Sequence, residues 1–190
     1  YQGATQLQKF GAEIFTVNLT AISVLREMGV LLTAILVAGR SGSSFAAEIG
    51  VMKLNDEVDA LKTLDIDPFE VLVLPRIIGL VIALPLMAFL ANICGLAGGG
   101  LMSVTILDIP LNRYFDQVLG AVSMSDFITG MIKAPVFAFI IASVGTFRGM
   151  QVTGSAESVG RLTTVAVVQS IFLVILADAF FSILFAKMGI

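Results

Sequence analysis

Four ionisable residues stand inside long apolar stretches of this sequence: Arg26 and Glu27, which are adjacent, then Lys133 and Asp178. A charge within an apolar helix is costly, so such residues pair with one another, bind a polar ligand or extend to a polar boundary. Lys133 and Asp178 could each extend to the outer headgroup layer of a membrane. The alternative is a contact between Glu27 and Lys133 that lines a cavity for a lipid headgroup. The sequence leaves both interpretations open.

Covalent chemistry is not indicated by the remaining residues. The sequence contains no histidine, which excludes His-based metal sites and Ser-His or Cys-His catalysis. Residues 39–44 do not match the nucleotide-binding pattern G-x-x-x-x-G-K-[ST], and no other segment does. We therefore expect no enzyme activity, no metal and no cofactor, and any ATP must be bound by another chain.

The composition is that of a membrane protein. The chain is 57% hydrophobic and 13% charged, whereas soluble domains are roughly 45–50% apolar and about 25% charged. Its formal net charge of -3 gives no indication of nucleic-acid binding. Lipid is therefore expected to solvate most of the surface.

Four segments can cross a bilayer, which requires roughly 20 apolar residues in a helix. Three are nearly continuous apolar runs, at 77–104, 127–147 and 162–186, and the fourth, 17–39, is split by Arg26 and Glu27. This pattern predicts an all-α polytopic transmembrane bundle with four spans. Lys and Arg are more frequent in 40–76 and 148–161 than in 107–126, which predicts that the first two segments face the cytoplasm.

The segment after the first span combines an apolar stripe with many acids. Val51, Leu54, Val58 and Leu61 recur at helical spacing. An acidic helix would be repelled by the anionic cytoplasmic lipid surface, so its stripe should contact protein. Either the same subunit or a docking partner satisfies that requirement. The acids of residues 48–70 are Glu48, Asp56, Glu57, Asp59, Asp65, Asp67 and Glu70, opposed only by Lys53 and Lys62.

An ordered series of motifs resembles the MlaE permease family. The series begins with LREMG at 25–29, AGRSG at 38–42, AEIGVMK at 47–53 and EVDAL at 57–61. It continues through Asp67-Pro68 to Pro75-Arg76, and similarity returns around Lys133 and over 161–178.

The resemblance implies the permease subunit of an ABC-type transporter that moves phospholipid between membranes. It implies a homodimer in the bacterial inner membrane, a cytoplasmic ABC ATPase and a periplasmic lipid-binding protein with an MCE domain. It further implies a single permease domain over 1–190 that lacks the N-terminal interfacial helix and the first of five spans of the family fold.

The resemblance also implies roles for particular residues. Arg26, Glu27 and Lys133 match charged residues of the family's lipid cavity, and Asp178 matches another intramembrane charge. Residues 48–66 match the coupling helix, which docks on the ATPase. The predicted coupling residues are Glu48, Met52, Lys53, Leu54, Asp56, Glu57, Asp59 and Leu61.

We therefore predict a permease that moves phospholipid with force supplied by a partner ATPase. One alternative is a secondary transporter driven by an ion gradient, in which Lys133 and Asp178 would be the coupling residues. The other is a membrane scaffold that transports nothing.

Overall fold

The computed structural model describes the backbone of residues 13–189 and the side chains of 14–189. Within that part of the chain all regular structure is helical, and four helices are long and apolar enough to cross a membrane. We refer to them in order as spans 1 to 4: Ile14–Leu54, Phe69–Ile106, Met124–Met150 and Ala156–Met188. The predicted all-α bundle of four spans is confirmed, and each span is longer than its apolar run.

Span 1 is a single helical rod of 41 residues that contains two π turns. At 1.5 Å per residue it is roughly 60 Å long, about twice the thickness of a bilayer core. The π turns are Val24–Met28 and Ala38–Gly42, and α-helix fills Glu13–Ser23, Gly29–Val37 and Ser43–Leu54. Arg26 and Glu27 therefore do not split the span, because they lie in a π turn of a continuous helix.

Two short helices connect the spans. The elbow helix, Glu57–Thr63, follows span 1, and the loop helix, Leu111–Ala121, joins spans 2 and 3. Span 2 opens with a π turn, Phe69–Val73, where the backbone N–H of Phe69 donates to Asp67 Oδ1 at 2.9 Å. This hydrogen bond satisfies one free N–H group at the start of span 2.

The apolar stripe predicted along one helix over 48–66 is corrected by the structure. Span 1 ends at Leu54, and Asp56 has a left-handed backbone with φ of 57° before the elbow helix begins. Asp and Asn tolerate this conformation better than other side chains do, and Asn55-Asp56 supplies both. Because the helix breaks there, Val51 is 48% exposed while Val58 is buried, and they do not form one stripe.

Spans 1 and 3 run parallel and pack closely along glycines of span 3. Gly130 faces the backbone carbonyl of Leu25, and Gly145 faces the carbonyl of Gly42, where an added Cβ would lie 2.7 Å from the oxygen. Both carbonyls belong to the π turns of span 1. Small residues allow helices to approach within backbone contact, so the π turns and the glycines fix the relative position of the two spans.

The glycine cluster of span 2 also packs within the chain. An added Cβ at Gly95 would lie 2.8 Å from Val24, and one at Gly99 would lie 3.1 Å from the Tyr114 hydroxyl of the loop helix. Gly98 faces open space. These glycines therefore allow span 2 to pack closely against span 1 and the loop helix.

Replacing Gly130 with alanine should destabilise the protein by about 1–3 kcal/mol, since the new methyl group collides with the Leu25 carbonyl. Gly98→Ala is the matched control: its methyl group meets nothing, and alanine favours helix by about 1 kcal/mol over glycine. Thermal unfolding in mild detergent measures both. Equal unfolding midpoints for the two variants would contradict the packing described.

Candidate functional site

A buried ammonium group joins three of the four spans. Lys133 of span 3 is 0% exposed, and its Nζ donates to Glu27 Oε2 of span 1 and, at 3.0 Å, to Asp178 Oδ1 of span 4. The contact between Glu27 and Lys133, one of the two alternatives from the sequence, is therefore present. Lys133 does not extend to the headgroup layer, because both hydrogen bonds hold it within the bundle.

Three further side chains extend this ion cluster. The Ser182 hydroxyl donates to Glu27 Oε2 at 3.2 Å. The Arg26 guanidinium lies 3.8 Å from Glu27 Oε1 and donates to Asp126 Oδ1 at 3.5 Å. All four residues predicted to line a lipid cavity thus meet at one place.

Asp126 and Ser182 were not predicted as site residues. Asp126 completes a capping box with Ser123 at the start of span 3. This capping role accounts for Asp126 without a second partner, so its contact with Arg26 was not predicted. Ser182 lies one helical turn after Asp178, and that spacing was the signal that could have identified it.

The backbone explains why these charges meet. Gly130 of span 3 contacts Leu25 of span 1 and brings the two spans together. Lys133 follows Gly130 by about one helical turn, and Glu27 follows Leu25 by two residues. The long aliphatic stem of Lys133 then reaches from span 3 to both neighbouring spans. The π turn Val24–Met28 carries Arg26 and Glu27, consistent with the frequent occurrence of π turns at functional sites.

The cluster has a closed side and an open side. Lys133 is inaccessible, whereas the side chains of Glu27 and Arg26 are 31% and 26% exposed. Two carboxylates offset the cost of burying the Lys133 ammonium, and removal of one partner from such a pair costs about 3–5 kcal/mol. At the open side, the guanidinium of Arg26 can donate in parallel to a phosphate group. The chemistry available is charge recognition at the edge of a rigid ion cluster.

The predicted coupling residues lie at the C-terminal end of span 1 and in the elbow helix that follows it, beginning roughly 30 Å from Glu27 along span 1. Glu48 joins span 1 to span 2, since its Oε2 lies 3.1 Å from Arg76 Nη2. Asp59 Oδ1 accepts from Lys62 Nζ at 2.7 Å, and this hydrogen bond lowers the pKa of Asp59. Asp56, Glu57 and Asp59 are exposed, whereas Met52, Lys53, Leu54 and Leu61 are half-buried. The structure thus places these residues in one region separate from the ion cluster.

Comparison with known proteins gives the family. A family model described as "Permease MlaE" matches residues 1–184. This chain belongs to the MlaE permease family. The predicted resemblance is confirmed, and the chain is a multi-pass membrane protein related to ABC transporter permeases.

Several relatives match the MlaE-type chain over most of its length. A probable ABC transporter permease protein of Rickettsia felis is 38% identical over 98% of this chain and 72% of its own length. The intermembrane phospholipid transport system permease protein MlaE of Haemophilus influenzae is 34% identical over 93% of this chain and 68% of its own. The chloroplastic protein TRIGALACTOSYLDIACYLGLYCEROL 1 of Arabidopsis thaliana is 37% identical over 83% of this chain and 45% of its own.

The contact between Glu27 and Lys133 predicts that the losses of stability on neutralising each of them are not additive. We expect Lys133→Met and Glu27→Gln to destabilise the protein by up to about 3–5 kcal/mol each, because each leaves a buried charge with fewer partners. The double variant should lose clearly less than the sum of the two single losses. Unfolding in detergent measures this.

The matched control is the exposed pair formed by Asp59 and Lys62, for which Asp59→Asn and Lys62→Gln should leave stability almost unchanged. Strict additivity at Glu27 and Lys133 would contradict the contact.

Proposed function

We propose that this chain is the permease subunit of an ATP-driven phospholipid transporter in the bacterial inner membrane. The observation that carries the proposal is the Lys133 ion cluster, which joins spans 1, 3 and 4 and leaves Arg26 and Glu27 partly exposed. Membership of a family whose Haemophilus influenzae relative is named for phospholipid transport supports lipid as the substrate.

Recognition of the lipid occurs at the open side of the cluster. A headgroup phosphate competes with Asp126 and Glu27 for the guanidinium of Arg26, whose distances to these carboxylates are 3.5 and 3.8 Å. A phosphate group can accept two parallel N–H bonds from a guanidinium. Binding there therefore exchanges contacts with these carboxylates for contacts with substrate, while Lys133 keeps the three spans together.

Force reaches the cluster through span 1. The helix that carries Glu27 continues without interruption to Leu54, next to the elbow helix. Displacement of the elbow by a partner therefore moves the same rod that carries the cavity charges. The two π turns are the places where this rod can bend or change register. A change in lipid affinity requires only that the two positions of span 1 contact lipid differently.

The proposed partners follow from these surfaces. The acidic elbow docks a cytoplasmic ABC ATPase, which supplies the nucleotide site that this sequence lacks. A second copy of the chain completes the lipid cavity, and a periplasmic MCE-domain protein exchanges lipid at the opposite side of the membrane. The Rickettsia felis relative is named a probable ABC transporter permease protein, which supports an ATPase as partner.

Reconstitution in vesicles tests the proposal. The full chain with its ATPase should transfer labelled phospholipid only when ATP is hydrolysed, and an uncoupler should have no effect. Transfer that continues without the ATPase and stops with an uncoupler would instead identify a secondary transporter. The absence of any transfer would identify a scaffold.

Reversing the charge of the elbow should release the ATPase without affecting insertion. The variant combines Asp56→Asn, which tolerates the left-handed backbone, with Glu57→Lys and Asp59→Lys. We expect co-purification of the ATPase to fall about tenfold, because complementary charges fix the docking of such surfaces. The measurement is the ratio of ATPase to permease after purification in mild detergent.

The control carries the same types of change at the other end of the bundle. Asp108 also has a left-handed backbone, with φ of 52°, so Asp108→Asn with Asp116→Lys repeats the left-handed substitution and one of the two charge reversals. This control should retain the ATPase. Equal retention by both variants would exclude the elbow as the docking surface.

A further inference from the structure

Arg148, near the end of span 3, is a half-buried cation held by neutral groups. Its Nε donates to Gln169 Oε1 at 2.8 Å, and its Nη1 donates to Gln151 Oε1 at 2.8 Å. Among residues 14–189 no carboxylate lies within ion-pair distance of it. Two of its five N–H groups are used, so the guanidinium retains donors and an unbalanced charge.

A groove runs from Arg148 along span 4 towards the middle of the membrane. Its volume is about 500 Å³, and it is lined by Arg148, Thr164, Val165, Val168, Gln169 and Phe172. Val168 and Phe172 are each 64% exposed, so the inner part of the groove is an open apolar surface. The polar end lies near the start of span 4, where a headgroup layer is expected.

A second arginine lies beside the polar end. Arg161 precedes Thr164 by three residues and Val168 by seven. This spacing places Arg161 on the same face of span 4 as the groove. It is exposed, and it forms no ion pair with any residue that the structure describes. Glu157, one turn further from the groove, is the nearest acid in sequence. The groove therefore ends in a locally positive surface.

We propose that this groove binds a phospholipid with an anionic headgroup. The phosphate binds Arg148, Arg161 adds attraction for the headgroup charge, and an acyl chain lies along Val165, Val168 and Phe172. Basic pockets between helix ends at a membrane surface bind anionic lipids by this combination of charge and apolar contact. The site is distinct from the ion cluster, since Arg148 is roughly 22 Å from Lys133 along span 3, and it does not depend on ATP-driven transport.

Native mass spectrometry of the full chain tests the headgroup preference. Released from membranes that contain equal phosphatidylglycerol and phosphatidylethanolamine, the chain should retain the anionic lipid in excess. Arg148→Gln and Arg161→Gln should each reduce this excess about fivefold. Arg113→Gln, on the loop helix at the other end of the bundle, is the control and should have no effect. Equal retention of the two lipids, or displacement of the lipid by inorganic phosphate alone, would overturn the proposal.

A probe in the groove identifies its occupant directly. Val168→Cys, made together with Cys94→Ser, places a fluorescent label there while Arg148 is intact. Phosphatidylglycerol with brominated acyl chains should quench the label more than brominated phosphatidylethanolamine does. Equal quenching would overturn the proposal, as would a disulfide-linked dimer through residue 168, which would show that a second copy covers the groove.

Discussion

The ammonium group of Lys133 imposes the strongest constraint on this structure. It lies inside a bundle that lipid surrounds, and it is stabilised only where Glu27 and Asp178 approach it together. These two carboxylates come from different spans. Their approach therefore fixes both the rotation and the depth of spans 1 and 4 relative to span 3.

The other features of the bundle make that approach possible. The glycines of span 3 allow its backbone to contact the π-turn carbonyls of span 1, which brings Glu27 within reach of Lys133. Span 1 continues as one rod to the elbow, so a single element connects the surface where force is proposed to enter with the charges proposed to contact lipid. The ion cluster and the rod with its two π turns are therefore the elements through which force is proposed to reach lipid.

The sequence predicted the spans well, because lipid as solvent requires long apolar runs and few charges. It also predicted the contact between Glu27 and Lys133 as one of two alternatives, since two opposite charges in apolar helices have few other partners. The joint contact with Asp178 was not predicted, because the depth of a residue depends on helix tilt and on π turns that leave no hydropathy signal. The break at Asp56 was missed because the apolar spacing continues across it, while the conformation of one residue interrupts the helix. The roles assigned to the cavity and coupling residues remain predictions.

The central claim is that the charges of the cluster, beyond holding the spans together, recognise lipid during transport. The most direct measurement is ATP-driven lipid transfer by Arg26→Gln, which removes the guanidinium at the open side and leaves Lys133 bonded to both Glu27 and Asp178. The account predicts a folded complex that retains its ATPase and loses at least about tenfold in transfer rate, equivalent to about 1.4 kcal/mol. Transfer at the rate of the unmodified protein would contradict it.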